Sequence, residues 1–231
     1  MPVGLVILVL VSVLVLLGVA HRVLDRLRLT DGGALAVIAA MLVGTFIPDI
    51  GITRNVAINV GGAIIPVALA VYLFIKAGTA KERTRAVVAS IAAGAVVYGL
   101  SKFLPAGPEE NQFMDYYYLY ALIGGGIAYL LGRSRRSAFI AGIMAIVLSD
   151  LLQAVVNVYT GIPGRTVFGG AGAFDATVIS GVFAVVLAEV VGETREKIQG
   201  GTDKKDMAFD KGEFVKNDGN MQRNGGDTDE K

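Results

Sequence analysis

Long apolar runs alternate with short polar gaps over most of this chain. Seven runs stand out, at approximately residues 2–20, 34–48, 58–75, 86–104, 114–132, 138–157 and 174–192. A helix needs roughly 20 apolar residues to cross the hydrocarbon core, and about 17 suffice for a short one. The second run is short and stops at Pro48-Asp49, so its helix should start a little earlier than the pattern shows. In lipid the backbone amides must find partners within the protein, which a helix provides inside its own segment. The pattern therefore predicts an all-α, polytopic helical membrane protein with seven transmembrane helices. Beyond residue 192 it lapses into glycine and mixed charge, too polar to bury a core. This divides the chain into a transmembrane domain, 1–192, and a disordered tail, 193–231.

Charge adds an orientation, because Lys and Arg favour cytoplasmic loops. Arg22, Arg26 and Arg28 follow the first run, Lys76, Lys81, Arg83 and Arg85 the third, and Arg133, Arg135 and Arg136 the fifth. The alternate gaps hold only Arg54, Lys102 and Arg165. The N-terminus is therefore expected outside and the tail in the cytoplasm, in a plasma membrane. A cleaved signal peptide carries positive charge ahead of its apolar stretch. The first run has none before it, so it is expected to remain as a helix. Tryptophan is absent, and Tyr116, Tyr117, Tyr118 and Tyr159 stand where interfacial aromatics belong.

Two of the gaps repeat one order of residues. Ile47-Pro48, Arg54 and Gly61-Gly62-Ala63 in the first match Ile162-Pro163, Arg165 and Gly169-Gly170-Ala171 in the second. Aligning them pairs runs one to three with runs five to seven and leaves the fourth as a linker. That is a 3+1+3 parallel repeat, with a pseudo-two-fold axis along the membrane normal. The spacing inside the two phrases differs, so the alignment rests on order alone.

Ionisable groups at membrane depth are expensive and mark function. Asp150 has apolar turns on both sides, and Gln153 and Asn157 share its helical face. Asp49, Asn55, Asn59, Asp115 and Asp175 stand at run ends on the same outer side, with Glu189 alone near the opposite end. The candidate binding set is Asp49, Arg54, Asn59, Gln153, Asn157, Arg165, Gly169 and Gly170. Its oxygen ligands suit a cation or a hydroxyl-rich solute, and its glycine pairs allow an unwound turn to line a pocket. A plainer role also exists for Asp175, since a carboxylate at a helix N-terminus is favoured by the helix dipole. Arg54 or Arg165, folded inward, is the expected partner of Asp150. With one histidine, His21, and no cysteine, no zinc or thiolate site can be assembled. No cofactor and no nucleic-acid partner are expected.

Asn59-Val60-Gly61-Gly62-Ala63 with Pro66, Ser149-Asp150-Leu151-Leu152, and Gly169-Gly170-Ala171-Gly172-Ala173-Phe174-Asp175 resemble an uncharacterised prokaryotic multi-pass membrane family, domain of unknown function 1614. The resemblance covers roughly residues 20–195 and is most specific in the Gly-Gly-Ala-Gly-x-Phe-Asp phrase. It implies a membrane protein of shared architecture and brings no activity with it. Ser149 stands where the resemblance implies alanine.

Three functions fit these residues. The first is an outward-facing polar site that binds or transports a small solute or cation. The second is a non-catalytic membrane interaction or assembly factor with a protein partner on the tail, where Met207, Phe209, Phe214 and Val215 are the docking residues. The third is an intramembrane aspartyl protease with Asp150 and Asp175 as its catalytic pair. The third fits least well, because Gly-x-Gly-x-x-Asp is two residues longer than the Gly-x-Gly-Asp of the presenilin-like class. An enzyme is therefore the less favoured outcome.

Overall fold

In the computed structural model the described residues are 30–103, 116–162, 164–198, 207–210 and 213–216. The predicted first helix, 2–20, and Asp115 lie outside them. Six α-helices occupy the other six apolar runs: α1 (Asp31–Thr45), α2 (Ile65–Ile75), α3 (Ala80–Phe103), α4 (Tyr116–Gly132), α5 (Arg135–Thr160) and α6 (Ala176–Ile198). Of these, α3 and α5 are long and apolar enough to cross a membrane.

Local chemistry sets the helix ends. Thr30 opens α1, its hydroxyl accepting from the Gly33 amide at 3.1 Å. Ser134 does the same for α5 at the Ser137 amide, also 3.1 Å, as N-caps do. Gly161 closes α5 in the left-handed region, φ +67°, where glycine has no Cβ to clash. Several ends differ from the sequence expectation. α1 stops at Thr45 instead of 48, because proline disfavours helix in the residue before it and Ile47 precedes Pro48. α3 begins at Ala80 and α5 at Arg135, several residues upstream of their apolar runs. Glu82, Arg83, Arg135 and Arg136 are therefore helical residues rather than loop residues.

The all-α expectation fails in the gaps. β1 (Ile50–Thr53), β2 (Val56–Ile58) and β3 (Thr166–Phe168) form one sheet in the order β1-β2-β3. β1 and β2 are antiparallel, while β2 and β3 are parallel, with Val56 opposite Thr166 and Ile58 opposite Phe168. Isoleucine, valine, threonine and phenylalanine favour extended backbone, and a gap that leaves the helices must pair its amides elsewhere. The tail differs too: β4 (Met207–Asp210) and β5 (Glu213–Lys216) make an antiparallel hairpin where disorder is predicted. Phe209 and Phe214, two of the four candidate docking residues, are opposite each other in its register.

The helices run between two poles. α1 ends and α2 and α6 begin beside the sheet, at the sheet pole. Glu82 of α3 and Arg136 of α5 meet at the other, the arginine pole, and Lys102 and Gln153 meet near the opposite ends of the same two helices. Between the poles many contacts are made by small residues, beside a cluster of Leu73, Phe139, Ile140, Ile143 and Val185. Ala89, Ala93, Ala128, Ala138, Ala141, Ala145 and Ala184 form one seam. A methyl on Gly142 or Gly125 would stand 2.7 Å from the Ser180 carbonyl oxygen. Large aliphatics such as Val43, Val88, Ile91, Leu130, Val155 and Val190 point outward instead. A soluble fold exposes few contiguous large apolar side chains; here many are exposed, although Leu73, Phe139, Ile140 and Ile143 are buried.

Candidate functional site

The two repeated gaps meet at the sheet pole. Beyond the β2–β3 pairing, the Thr166 amide donates to the Asn55 carbonyl at 2.8 Å and the Asn59 amide to the Phe168 carbonyl at 2.9 Å. Gly62 then lies backbone-to-backbone on the second gap: a methyl there would collide with the Gly169 and Gly172 carbonyl oxygens. Gly61 lies as closely against the end of α1, at Met41 and Thr45. Gly169 and Gly172 have φ of +67° and +64°, a region that L side chains rarely adopt. Gly170, its predicted equal, is exposed and has ordinary clearance apart from Val167 at 3.3 Å.

Each gap enters its helix through an irregular turn held by a polar side chain. In the first, Val60–Ile64 forms one π-helical turn ahead of α2. Buried Asn59 caps it, accepting from the Gly62 amide at 3.0 Å and donating to Asp49 Oδ1 at 2.9 Å. In the second, Gly172–Phe174 is a 3-10 turn ahead of α6. Asp175 caps that one: Oδ1 accepts from the Thr177 amide at 2.9 Å and the Thr177 hydroxyl at 2.7 Å, and Oδ2 from the Ala171 amide at 3.2 Å. Thr45 ties α1 to the same turn, accepting from the Ala173 amide and donating to the Met41 carbonyl, both at 2.8 Å.

Asp150 lies on α5 within electrostatic reach of Asp175, and no direct hydrogen bond joins the two carboxylates. One turn along, Gln153 donates to Asn157 at 2.6 Å and accepts from Lys102 of α3 at 2.6 Å. The expected inward arginine is not there. Arg54, in the β1–β2 turn, and Arg165, just before β3, are both exposed, and neither forms an ion pair among the described residues. Arg165 and Asn157 instead line an open polar pocket of about 470 Å³ with Asn55, Gly161 and Gly164. The predicted set thus divides three ways: Asn59 and Asp49 hold a turn, Asp150 and Asp175 approach each other, and Asn157 and Arg165 share a pocket. No cluster of three or more metal-ligating side chains occurs among the described residues.

A family profile described as a protein of unknown function (DUF1614) matches residues 52–187. The chain belongs to this family. The match runs from β1 into α6, inside the span of the resemblance at 20–195, and takes in the first gap from Ile52 onward, the whole second gap, Asp150 and Asp175. Asp49 falls just outside the DUF1614 match. No curated protein and no solved structure matches the chain.

Several polar residues of the structure are not marked as functional by the sequence pattern. Thr177, fully buried, was legible as the third residue of Asp-x-Thr, a local capping pattern. Lys102 and Thr45 were not legible, because their partners lie on other helices. Ser180 is buried against α4 and α5 with no hydrogen-bond partner for its hydroxyl. The arginine pole was read only as loop charge. There Glu82 accepts from Arg136 at 3.3 Å, from Ser134 at 3.1 Å and from the Gly78 amide at 3.3 Å. Arg136 also donates to the Lys76 carbonyl at 3.3 Å, and Arg135 pairs with Glu189. Charges so enclosed need partners, and here they have them.

Proposed function

We propose that this DUF1614 protein is a seven-helix plasma-membrane protein whose sheet pole is an outward-facing binding site for a small solute or cation, on a route across the membrane. One observation carries the reading: two irregular helix entries, one π and one 3-10, lie side by side, with Asp175 capping the second and Asp150 within electrostatic reach of it. Interrupted helices with polar groups at the break are how many transporters hold ions and solutes. Small residues at the helix contacts and large aliphatics on the outer surface support the membrane setting. Lys76, Lys81, Arg83, Arg85, Arg133, Arg135 and Arg136 gather toward the arginine pole, which supports placing that pole in the cytoplasm. The parallel β2–β3 pairing sets equivalent parts of the two gaps in one direction, as a parallel repeat requires. The three donors on Asp175 weigh against the protease reading, since they occupy both oxygens of a proposed catalytic group. The tail hairpin keeps an interaction role as the second reading, through Phe209 and Phe214.

The chain has no cysteine, so single cysteines report topology without background. Thr53→Cys should react with a membrane-impermeant maleimide on intact cells, and Arg133→Cys only after lysis. The reverse result would invert the orientation. For the site itself, vesicles containing the purified full chain are tested for sodium and proton flux with entrapped dyes. Flux above that of protein-free vesicles, lowered about tenfold or more in Asp150→Asn, is the expected outcome, because an intramembrane carboxylate is costly to keep unless used. Equal leakage with and without protein for both ions would sink the cation reading.

A further inference from the structure

Beside the polar pocket at Arg165 lies a second cavity of about 740 Å³ whose lining is wholly apolar. α2, α5 and the sheet form its walls, with Ile64, Ala68, Leu151, Val155, Ile52 and Phe168 among them. Val158 lines both cavities, so the two adjoin. The apolar cavity follows α5 from Val147 to Tyr159, a length of about 18 Å at 1.5 Å per residue. Its end at the sheet pole adjoins the pocket of Asn157, Gly161 and Arg165. Both volumes fall within the range of roughly 300–1,000 Å³ typical of ligand sites.

We infer that these adjoining cavities form one site for an anionic phospholipid, with the phosphate at Arg165, Asn55 and Asn157 and an acyl chain lying along α5. Charge complementarity selects this occupant. The polar end offers a guanidinium with no carboxylate partner among the described residues, and Arg holds phosphate oxygens with paired, charge-assisted hydrogen bonds. The apolar end offers no polar atom, so it matches a hydrocarbon chain and nothing else on the same ligand. The order also matches a bilayer, with the polar pocket beyond the end of α5 and the groove descending from it. The site rests on the membrane reading above; it takes Asn157 and Arg165 from the candidate binding set and none of the carboxylates on which the solute reading rests. Asp150, Asp175 and Lys102 do not line it.

The experiment uses the full chain purified in mild detergent and native mass spectrometry. Phosphatidylglycerol and phosphatidylcholine with identical acyl chains are offered separately, and inorganic phosphate is the head-only probe. Phosphatidylglycerol should bind one per chain and at least about tenfold more tightly than phosphatidylcholine, reflecting a charged hydrogen bond that only the anionic lipid retains uncompensated. Arg165→Gln should remove that preference. Ala68→Trp, which fills the groove from an exposed position on α2, should weaken both lipids. Asp150→Asn should change neither, which separates this site from the flux assay. Equal binding of the two lipids, or an unchanged preference in Arg165→Gln, would overturn the inference. So would inorganic phosphate binding as tightly as phosphatidylglycerol, or a second copy of the chain occupying the groove with lipid binding insensitive to Ala68→Trp.

Discussion

At the sheet pole Gly62 rests on Gly169 with no side chain between them, whereas at the arginine pole Glu82 and Arg136 meet through long charged side chains. The first contact depends on backbone shape and has no tolerance for added volume. The second depends on charge and can be weakened without steric conflict. At the arginine pole Arg135 and Arg136 each have a carboxylate partner and tie helices together. At the sheet pole Arg54 and Arg165 have none among the described residues.

Four tests would break or sharpen this contrast. Gly169→Ala should be the most damaging, at about 3 kcal/mol or more, because it adds left-handed strain to a backbone overlap. Gly170→Ala, one residue on, should cost less than about 1 kcal/mol. Thermal melts of the two proteins in detergent test the pair, and similar melting temperatures would remove the glycine contact as the organiser of this pole. Glu82→Gln should lose about 2–3 kcal/mol by leaving Arg136 without its carboxylate. That loss should shrink when Arg136→Met is added, measured as a double-mutant cycle. Thr45→Val should cost about 1 kcal/mol, the worth of a hydrogen bond to the Ala173 amide. Hydrogen exchange would localise its effect to the 3-10 turn rather than to α1. Arg165→Gln should leave the melting temperature unchanged in lipid-free detergent, since nothing in the fold uses that charge. A fall of several degrees would mean that Arg165 is structural after all.

Much of this architecture was written in the apolar runs. All six runs that fall in the described residues became helices, because a stretch without charge has few other ways to satisfy its backbone. Their ends were less legible. Glu82, Arg135 and Arg136 look like loop residues in a hydropathy pattern, yet they find each other and so can extend their helices into the polar region. The sheet was hidden for a different reason. Val56-Ala57-Ile58 and Thr166-Val167-Phe168 are too short to show alternation, and their pairing partners lie in the other gap. The repeated glycine phrase pointed to the correct place but not to the correct contacts: Gly62, Gly169 and Gly172 touch, while Gly170 does not. Asp175 was legible as a cap from its position alone. Lys102 was not, because only the packing of α3 on α5 brings it to Gln153.

The parallel pairing of β2 with β3 carries a consequence for how the protein is made. Four helices, α2 to α5, are synthesised between the two strands. At a ribosomal rate of about 5–20 residues per second, β3 emerges on the order of ten seconds after β2. During that interval one side of β2 has no partner, and an unpaired strand edge invites the wrong one. Antiparallel pairing with β1 covers only the other side. The newborn chain therefore waits with half of its sheet built, and any chaperone that attends it has its task at Val56-Ala57-Ile58.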